Sequence, residues 1–592
     1  MTPRIALVTL SAFVPILAFA QDQGRDQGQS RAPERTAFGI GRPIGPEQLP
    51  PGRMRERLES LPAPARQRAL AWLQSFSFPA EDIESIEIDA NGGVFYADPP
   101  PGESEGAVDD GAPTFEAVEP AEVFRLHSKP GAANTVFVDV DGHVIEGTAW
   151  RDGARLDAAP LDLDGQPGFS DAELDAIATV WHRVAEDLSP FDIDVTTEQP
   201  AAFGPNVGRL LITRSTDLNG TPMPSSASGG VAYVNVWGRS DFAYYSPALA
   251  YYDNVGGSRH NMSEVSSHEI GHNLGLSHDG TSTTGYYGGR GTGLIDWAPI
   301  MGNSYYAELT QWSRGEYPDA NNTQDDLAII GGKLGGRGDD HANTLADATA
   351  LVVGADGSVQ STDPESDPAN FAGANKGVVD GTGDVDVFRF ESGGGPLELR
   401  VLPAWTAFPN VSRRGANLDV GLRLLDAAGE TVASADPPDD TEATLSLSNL
   451  PAGTHYLAIT GVGNANVSSY ASLGQYFVRG AITPAGDAPN SPPSVPDGFA
   501  VADGTDGSAL LTWSPDAGAE RIEIARQKRH RSGNRWVGDA RLEAPPGGVY
   551  GDAVGSGTFR YRVRAVNASG ASDWTAWIEV RVTGGGGKGR KK

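Results

Sequence analysis

Apolar and polar positions recur with two different periods along this chain, and the places where the period changes divide it. From Pro64 to Phe76 (PARQRALAWLQSF) the spacing is helical, with Leu70, Leu73 and Phe76 toward one side, which predicts an amphipathic helix. Ile86 to Tyr96 (IEIDANGGVFY) alternates instead, with Asn91-Gly92 at its centre, the pattern of a β-hairpin. Beyond Asn134 short strands and helices take turns. TVFVDVDG (135–142), FDIDVTT (191–197), GRLLIT (208–213) and GVAYVNVW (230–237) read as strands. Ser170-Asp171-Ala172-Glu173 is a capping box that opens a helix, and Leu174, Ile177, Trp181 and Val184 keep helical spacing behind it. A second helix is expected from about Ser263 to Leu274 and a third at 323–333 (TQDDLAIIGGK). From about 339 the pattern turns wholly β: Leu418, Val420, Leu422 and Leu424 alternate strictly, DAAGE (426–430) is a hairpin turn, and Thr444 to Leu450 and Tyr456 to Thr460 are further strands.

Punctuation between these blocks is clear. PPPGESEGAVDDGAP (99–113) and SPPSVPDG (491–498) are rich in proline, glycine and acid, and read as linkers. The first twenty residues pair Arg4 with an apolar run, Ile5 to Phe19, and a small-x-small site at Ala18-Phe19-Ala20, as an export signal does. Polar sequence (QDQGRDQGQS) follows at once, so cleavage before Gln21 is expected rather than a membrane anchor, and no later stretch approaches eighteen apolar residues. The expected location is therefore outside the cell, or in the periplasm of a Gram-negative bacterium. The tail GGGGKGRKK is assigned no function.

A length of 592 residues allows about four domains. The formal charge of −32 argues against binding a phosphate backbone and leaves many carboxylates available to Ca²⁺, a structural candidate only. The chain has no cysteine, which excludes disulfides, thiolate metal sites and a cysteine nucleophile.

The stretch that carries chemistry is HEIGHNLGLSHDG, 268–280. His268 and His272 are four apart, so a helix puts both imidazoles on one face. Gly275 tolerates the left-handed cap that ends the helix, and the returning chain can deliver His278 as a third nitrogen. Three neutral imidazoles leave a fourth zinc position open, as a catalytic site requires. Glu269, beside them, can take the proton of a metal-bound water. A match of this extent is expected by chance on the order of 10⁻⁵ times in such a chain.

HExxHxxGxxH resembles the metzincin metallopeptidases, and Asp279 after the third histidine resembles the adamalysin (reprolysin) type. The resemblance covers roughly 132–335. It implies a methionine floor beneath the metal, which Ala298-Pro299-Ile300-Met301-Gly302 fits, and an edge strand at Val231 to Val236 that would bind substrate backbone by strand addition. It also departs from relatives in the clan. Asn303 stands where some carry a tyrosine two residues after the methionine, Tyr305 and Tyr306 come later and read as pocket-wall or core aromatics, and the disulfides of adamalysins are impossible here. Loop 281–298, on which the specificity pocket depends, cannot be placed from sequence.

The flanks complete the reading. Residues 21–131 are expected to be a propeptide and linker; Asp109 or Asp110 could block the metal, although both read more simply as linker charges. Residues 339–484 resemble the bacterial pre-peptidase C-terminal domain, through DDHANTLADATAL (339–351), GDVDVFRF (383–390), NLDVGLRLLDAAGE (417–430) and LPAGTHYLAITG (450–461). Asp384 and Asp386 there are a calcium candidate or, more simply, turn-capping groups, and His341 and His455 read as structural. Residues 491–583 resemble a fibronectin type III domain, with Trp513 and Tyr561 in its core, and 584–592 form the basic tail. The expected fold is thus multidomain: a signal at 1–20, an α/β metzincin-like catalytic domain at 132–338 with a mixed twisted sheet and a zinc-binding helix, then two all-β sandwiches. The expected activity is that of a secreted zinc endopeptidase, with His268, His272 and His278 on Zn²⁺, Glu269 as general base and proteins or peptides as substrates. Polymer or matrix binding is open to the C-terminal modules. Two other readings stand beside it: a non-catalytic binding protein that retains a zinc site, and a zinc amidase acting on cell-wall peptides.

Overall fold

The computed structural model describes residues 37–42, 45–102, 118–361, 374–404, 414–485, 493–504, 507–514, 519, 521–530, 535–546, 548–567 and 570–583. The expected signal segment, Asp109 and Asp110, and the basic tail lie outside them. Two compact units result, residues 1–484 and 485–592.

The first unit is built on a seven-stranded sheet. Its strands are β1 (Ile86–Ile88), β2 (Val94–Asp98), β3 (Asn134–Asp139), β4 (Ile193–Thr196), β5 (Val207–Thr213), β6 (Gly230–Tyr233) and β7 (Ala248–Tyr251). In space they run β1-β2-β6-β7-β5-β3-β4. β7, β5, β3 and β4 are parallel; β1, β2 and β6 join antiparallel at one side. Parallel strands need crossovers, and helix α3 (Asp171–Asp187) provides the one between β3 and β4. Its capping box forms as expected, with Ser170 and Glu173 satisfying each other's neighbouring backbone. Ile177, Trp181 and Val184 are buried, and the Trp181 indole donates to the carbonyl of Val195 at 2.7 Å.

Two expectations about the sheet change. Val231 to Val236 was to be an edge, but β6 stops at Tyr233 and is covered by β2, with Gly230 opposite Asp98 and Tyr233 opposite Phe95. The alternating hairpin ahead of Asn134 finds its backbone partner there, a long-range pairing. A further strand, β7, also lies between β6 and the helix that follows. The N-terminal segment therefore shares the core: α1 (Arg53–Ser60) and α2 (Ala63–Leu73) precede the hairpin, and the Trp72 indole donates to the Val234 carbonyl at 2.8 Å.

The same unit includes a nine-stranded antiparallel-dominated β-layer built from 349–484 around its own apolar core, to which Leu399, Leu422, Leu457 and Tyr476 belong. It contacts α3 through carboxylates. Glu186 accepts from the Gln475 backbone N–H at 2.9 Å and from its side chain at 2.8 Å, and Asp187 accepts from Asn417 at 2.8 Å. Burial pushes the Glu186 carboxyl up to about 8, despite the two Gln475 donors, against 4.5 for a free glutamate. The folded state thus holds a proton that the unfolded chain gives up. This contribution to stability is complete below pH 4.5 and is lost as pH rises through about 8. Glu186→Gln should therefore flatten the loss of thermal stability between pH 5 and 8.5. Melting curves of both proteins at the two pH values check this, and parallel slopes would count against it.

In this layer His341 bonds Thr349 at 2.8 Å and donates to the Lys376 carbonyl at 2.8 Å, and His455 donates to the Gly453 carbonyl at 3.0 Å, so both are structural. Asp384 caps its turn, accepting from the Asp380 N–H at 3.0 Å, and Asp386 accepts from Tyr476 at 2.7 Å.

The second unit is a sandwich of a three-stranded sheet and a larger antiparallel one, closed over Trp513, Ile524 and Tyr561. Tyr561 donates to Asp552 at 3.0 Å. Among the described residues no helix is long and apolar enough to cross a membrane.

Candidate metal centre

Helix α4 (Arg259–Leu274) starts four residues before the expected Ser263, because Ser258 caps it by accepting from Asn261. It is buried along nearly its whole length. Gly275 ends it in the left-handed region, φ 107°, where its N–H bonds the Gly271 and His272 carbonyls. The chain then turns back and delivers His278.

The three histidines converge. Their rings lie 4.8 Å (His268 to His272), 4.9 Å (His272 to His278) and 5.3 Å (His268 to His278) apart. The outer nitrogens of two are committed. His268 Nδ1 donates to the Ile300 carbonyl and His272 Nδ1 to the Leu276 carbonyl, each at 2.9 Å. A carbonyl only accepts, so these bonds place a hydrogen on each Nδ1 and leave both Nε2 atoms facing inward. His278 Nδ1 lies 3.3 Å from Asp82 Oδ1, and its Nε2 lies 3.2 Å from that of His272.

A fourth group enters the same space, and sequence reasoning missed it. Asp98, at the end of β2, puts Oδ1 2.8 Å from His278 Nε2, and Oδ2 3.2 Å from His272 Nε2 and 3.7 Å from His268 Nε2. The aspartates weighed from sequence were Asp109 and Asp110. The local signal, an aspartate closing the hairpin just before three prolines, was visible; the pairing of β2 with β6 was not.

These contacts fit a zinc ion. Four ligands held tetrahedrally at about 2.0–2.1 Å stand about 3.3 Å from one another. Four of the six separations among these atoms, 2.8 to 3.7 Å, bracket that edge. His268 Nε2 has no hydrogen-bond partner, and the ligand atoms of Asp98, His268, His272 and His278 all lie within 4.8 Å of one another. Burial holds His268 down to about 3, a neutral ring ready to ligate. Burial would lower His278 as well, but Asp82 and Asp98 outweigh it and raise it to about 10. The same pairing, against the opposing effect of burial, keeps Asp98 well below the usual carboxylate range.

Glu269 stands beside the cluster. It is fully buried and neither carboxylate oxygen has a hydrogen-bond partner. Burial first, then Asp98, pushes it well above the usual range. Gly230 makes its room: a Cβ there would lie 2.2 Å from Glu269 Oε1. Met301 is fully buried and packs against the helix at Gly271, where an added Cβ would meet its sulfur.

Aromatic rings wall the centre. Tyr96 stacks on His272 at 4.1 Å. Tyr286, from the loop that sequence could not place, lies 4.3 Å from His278 and donates to Asp98 Oδ1 at 2.7 Å. Tyr305 lines a cavity of about 210 Å³ beside His268, with Glu264, Val265 and Thr284, a pocket-wall place as expected. Tyr306 donates to the Gly102 carbonyl at 3.0 Å. Asp279 is buried, and Tyr317 approaches it at 3.4 Å.

Comparison with known proteins agrees with part of this picture. Residues 191–279 match a family model described as metallo-peptidase family M12B, reprolysin-like, which ends at Asp279 and so takes in all three histidines and Glu269. No curated protein matches the chain in sequence. Among solved structures, the FN5 domain of Drosophila Lar is similar at 17% identity, covering 16% of this chain and 99% of that one, with a TM-score of 0.14. A Fn3-like protein from Clostridium thermocellum is similar at 20% identity, over 16% and 95% of the two chains, with a TM-score of 0.13. The fn3 domain of human contactin 1 is similar at 14% identity, over 17% and 87%, with a TM-score of 0.15.

Proposed function

We propose that this protein is a secreted zinc-dependent endopeptidase. The observation that carries the reading is the convergence of three buried imidazoles beside a buried, unpartnered carboxylate, within a segment that matches a reprolysin-like metallopeptidase model.

His268, His272 and His278 hold Zn²⁺ through inward-facing nitrogens. The carbonyls of Ile300 and Leu276 orient two of these rings from behind, as outer partners of metal ligands do. When bound, the ion supplies Lewis-acid chemistry, acidifying water and polarising the scissile carbonyl. Glu269 accepts the water proton on a carboxylate oxygen while the water oxygen attacks the carbonyl carbon. The C–N bond then breaks, and Glu269 returns the proton to the departing amine. Met301 supports the helix from below. The cavity beside His268 is the place for a substrate side chain.

A panel of casein, gelatin and peptidoglycan, each with and without a zinc chelator, tests the substrate class. Chelator-sensitive cleavage of casein or gelatin is expected. Release of peptides from peptidoglycan alone would favour an amidase acting on cell-wall peptides.

A further inference from the structure

The larger sheet of the second unit turns a row of arginines outward. Three of its strands are β8 (Arg521–Arg529), β9 (Trp536–Ala544) and β10 (Gly557–Asn567), in the order β9-β8-β10. Strand alternation buries Phe559, Tyr561, Val563 and Ala565 in the core and leaves Arg560, Arg562 and Arg564 on the other face. Across β8 the partners of these arginines are Gln527, Ala525 and Glu523, and Arg541 of β9 stands opposite Ala525. Three indoles interleave with the guanidiniums. Trp574 has Arg541 at 4.6 Å, Arg562 at 4.7 Å and Arg564 at 4.8 Å from its ring. Trp577 has Arg560 at 4.5 Å and Arg562 at 4.7 Å, and Trp536 has Arg560 at 4.7 Å. The carboxylates of these strands are engaged elsewhere: Glu523 pairs with Arg564 at 2.7 Å, Glu543 lies 3.7 Å from Arg521, Glu579 lies 3.8 Å from Arg529, and Asp539 accepts from Gln527. Arg560 donates to Gln527 at 2.7 Å, while Arg541 and Arg562 have no carboxylate within ion-pair distance among the described residues. Burial, and then the charges of Arg541, Arg560 and Arg564, lower the proton affinity of Arg562, so the crowding of charge is not relieved within the module.

Stacking occupies the flat face of a guanidinium and leaves its N–H donors at the edge, so each arginine is held in place while its fork still points at a ligand. The rings of Trp574 and Trp577 are each engaged by two or more guanidiniums, which disfavours a ligand that binds by stacking, such as the bases of a nucleic acid. The missing partner is anionic, and a carboxylate matches the fork with two parallel hydrogen bonds. Arg560 and Arg562 are one repeat of the pleat apart, about 6.6 Å, and Arg541 lies two strands across from Arg562, about 9.6 Å. One small anion cannot span these gaps, whereas a polymer with a carboxylate on every unit meets all three at once. An acidic peptide fits less well. The backbones of β8 and β10 are paired on both sides and offer no strand addition, and Asp or Glu gives up side-chain freedom that a carboxylate borne on a ring does not have. We infer that this face of the second unit is a docking site for a carboxylated polysaccharide, held through the edge N–H groups of Arg541, Arg560 and Arg562. The inference does not depend on the peptidase reading.

The test measures binding of the full chain to immobilised polygalacturonate, with its neutral methyl ester, polyglutamate and single-stranded DNA of like length as comparisons. Wild type is set beside Arg541→Gln and the double variant Arg541→Gln, Arg562→Gln. Arg541 is exposed, so its single variant keeps the test decisive should the double variant fold poorly. Wild type should bind polygalacturonate and leave the methyl ester unbound. The single variant should bind about threefold or more weakly and the double variant about tenfold or more weakly, the loss of exposed charge-assisted hydrogen bonds. No binding by wild type, equal binding of the methyl ester, or variants that bind as wild type does would overturn the inference. Tighter binding of polyglutamate would overturn it in favour of an acidic protein partner, and tighter binding of DNA in favour of a nucleic acid.

Discussion

Glu269→Gln is expected to lower peptide hydrolysis by about 10²–10⁴-fold, the range a positioned general acid–base group supplies, while metal content and fold stay as they are. The amide keeps the size of the carboxylate, so it fits the space that Gly230 leaves against β6. It cannot take a proton from water or return one to an amine. Helix α4 has no need of the charge, because Glu269 forms no ion pair with a cationic side chain among the described residues. Burial already disfavours the charged form of Glu269, so the neutral variant should melt at the same temperature as wild type or slightly higher. Steady-state rates on an unfolded protein, with metal measured on the same samples, check this. Unchanged rates at equal metal would remove Glu269 from the mechanism.

Stripping the metal with a chelator should abolish hydrolysis and lower thermal stability, and Zn²⁺ should restore both. The helix should survive the treatment. His268 and His272 keep their bonds to the Ile300 and Leu276 carbonyls, and Met301, Ile270 and Leu274 pack around them regardless of the ion. The stability lost is that of a ligand bound only by the folded state, about 4 kcal/mol where free zinc stands a thousandfold above its dissociation constant. Calorimetric melts with and without chelator give the figure. No change in melting temperature, with zinc shown to leave, would mean that the cluster does not hold it in the folded protein.

Much of this centre was legible because its parts are local. The i, i+4 histidines, the glycine that ends the helix and the histidine after it occupy eleven consecutive positions, and helix geometry alone sets their relation. The capping box at Ser170 and the hairpin around Asn91-Gly92 formed as read, for the same reason. What escaped was non-local. Whether Val231 to Val236 is an edge depends on whether another strand covers it, and β2 comes from 132 residues earlier, counting Asp98 against Gly230. No periodicity records that pairing. Asp98, between the hairpin and the linker, was therefore given no role, and the aspartates weighed were Asp109 and Asp110. Tyr286 escaped for a related reason: a loop rich in glycine and threonine carries no period, and only the folded chain brings that hydroxyl to Asp98. β7 was lost because ALAY is too short and too apolar to separate from the surrounding run.

The most direct measurement is cleavage of casein by the unsubstituted protein and by the same protein carrying Glu269→Gln, both loaded to equal zinc content. The account predicts fragments from the first that vanish under a chelator, and none from the second. Intact casein with both, while zinc is bound, would contradict it.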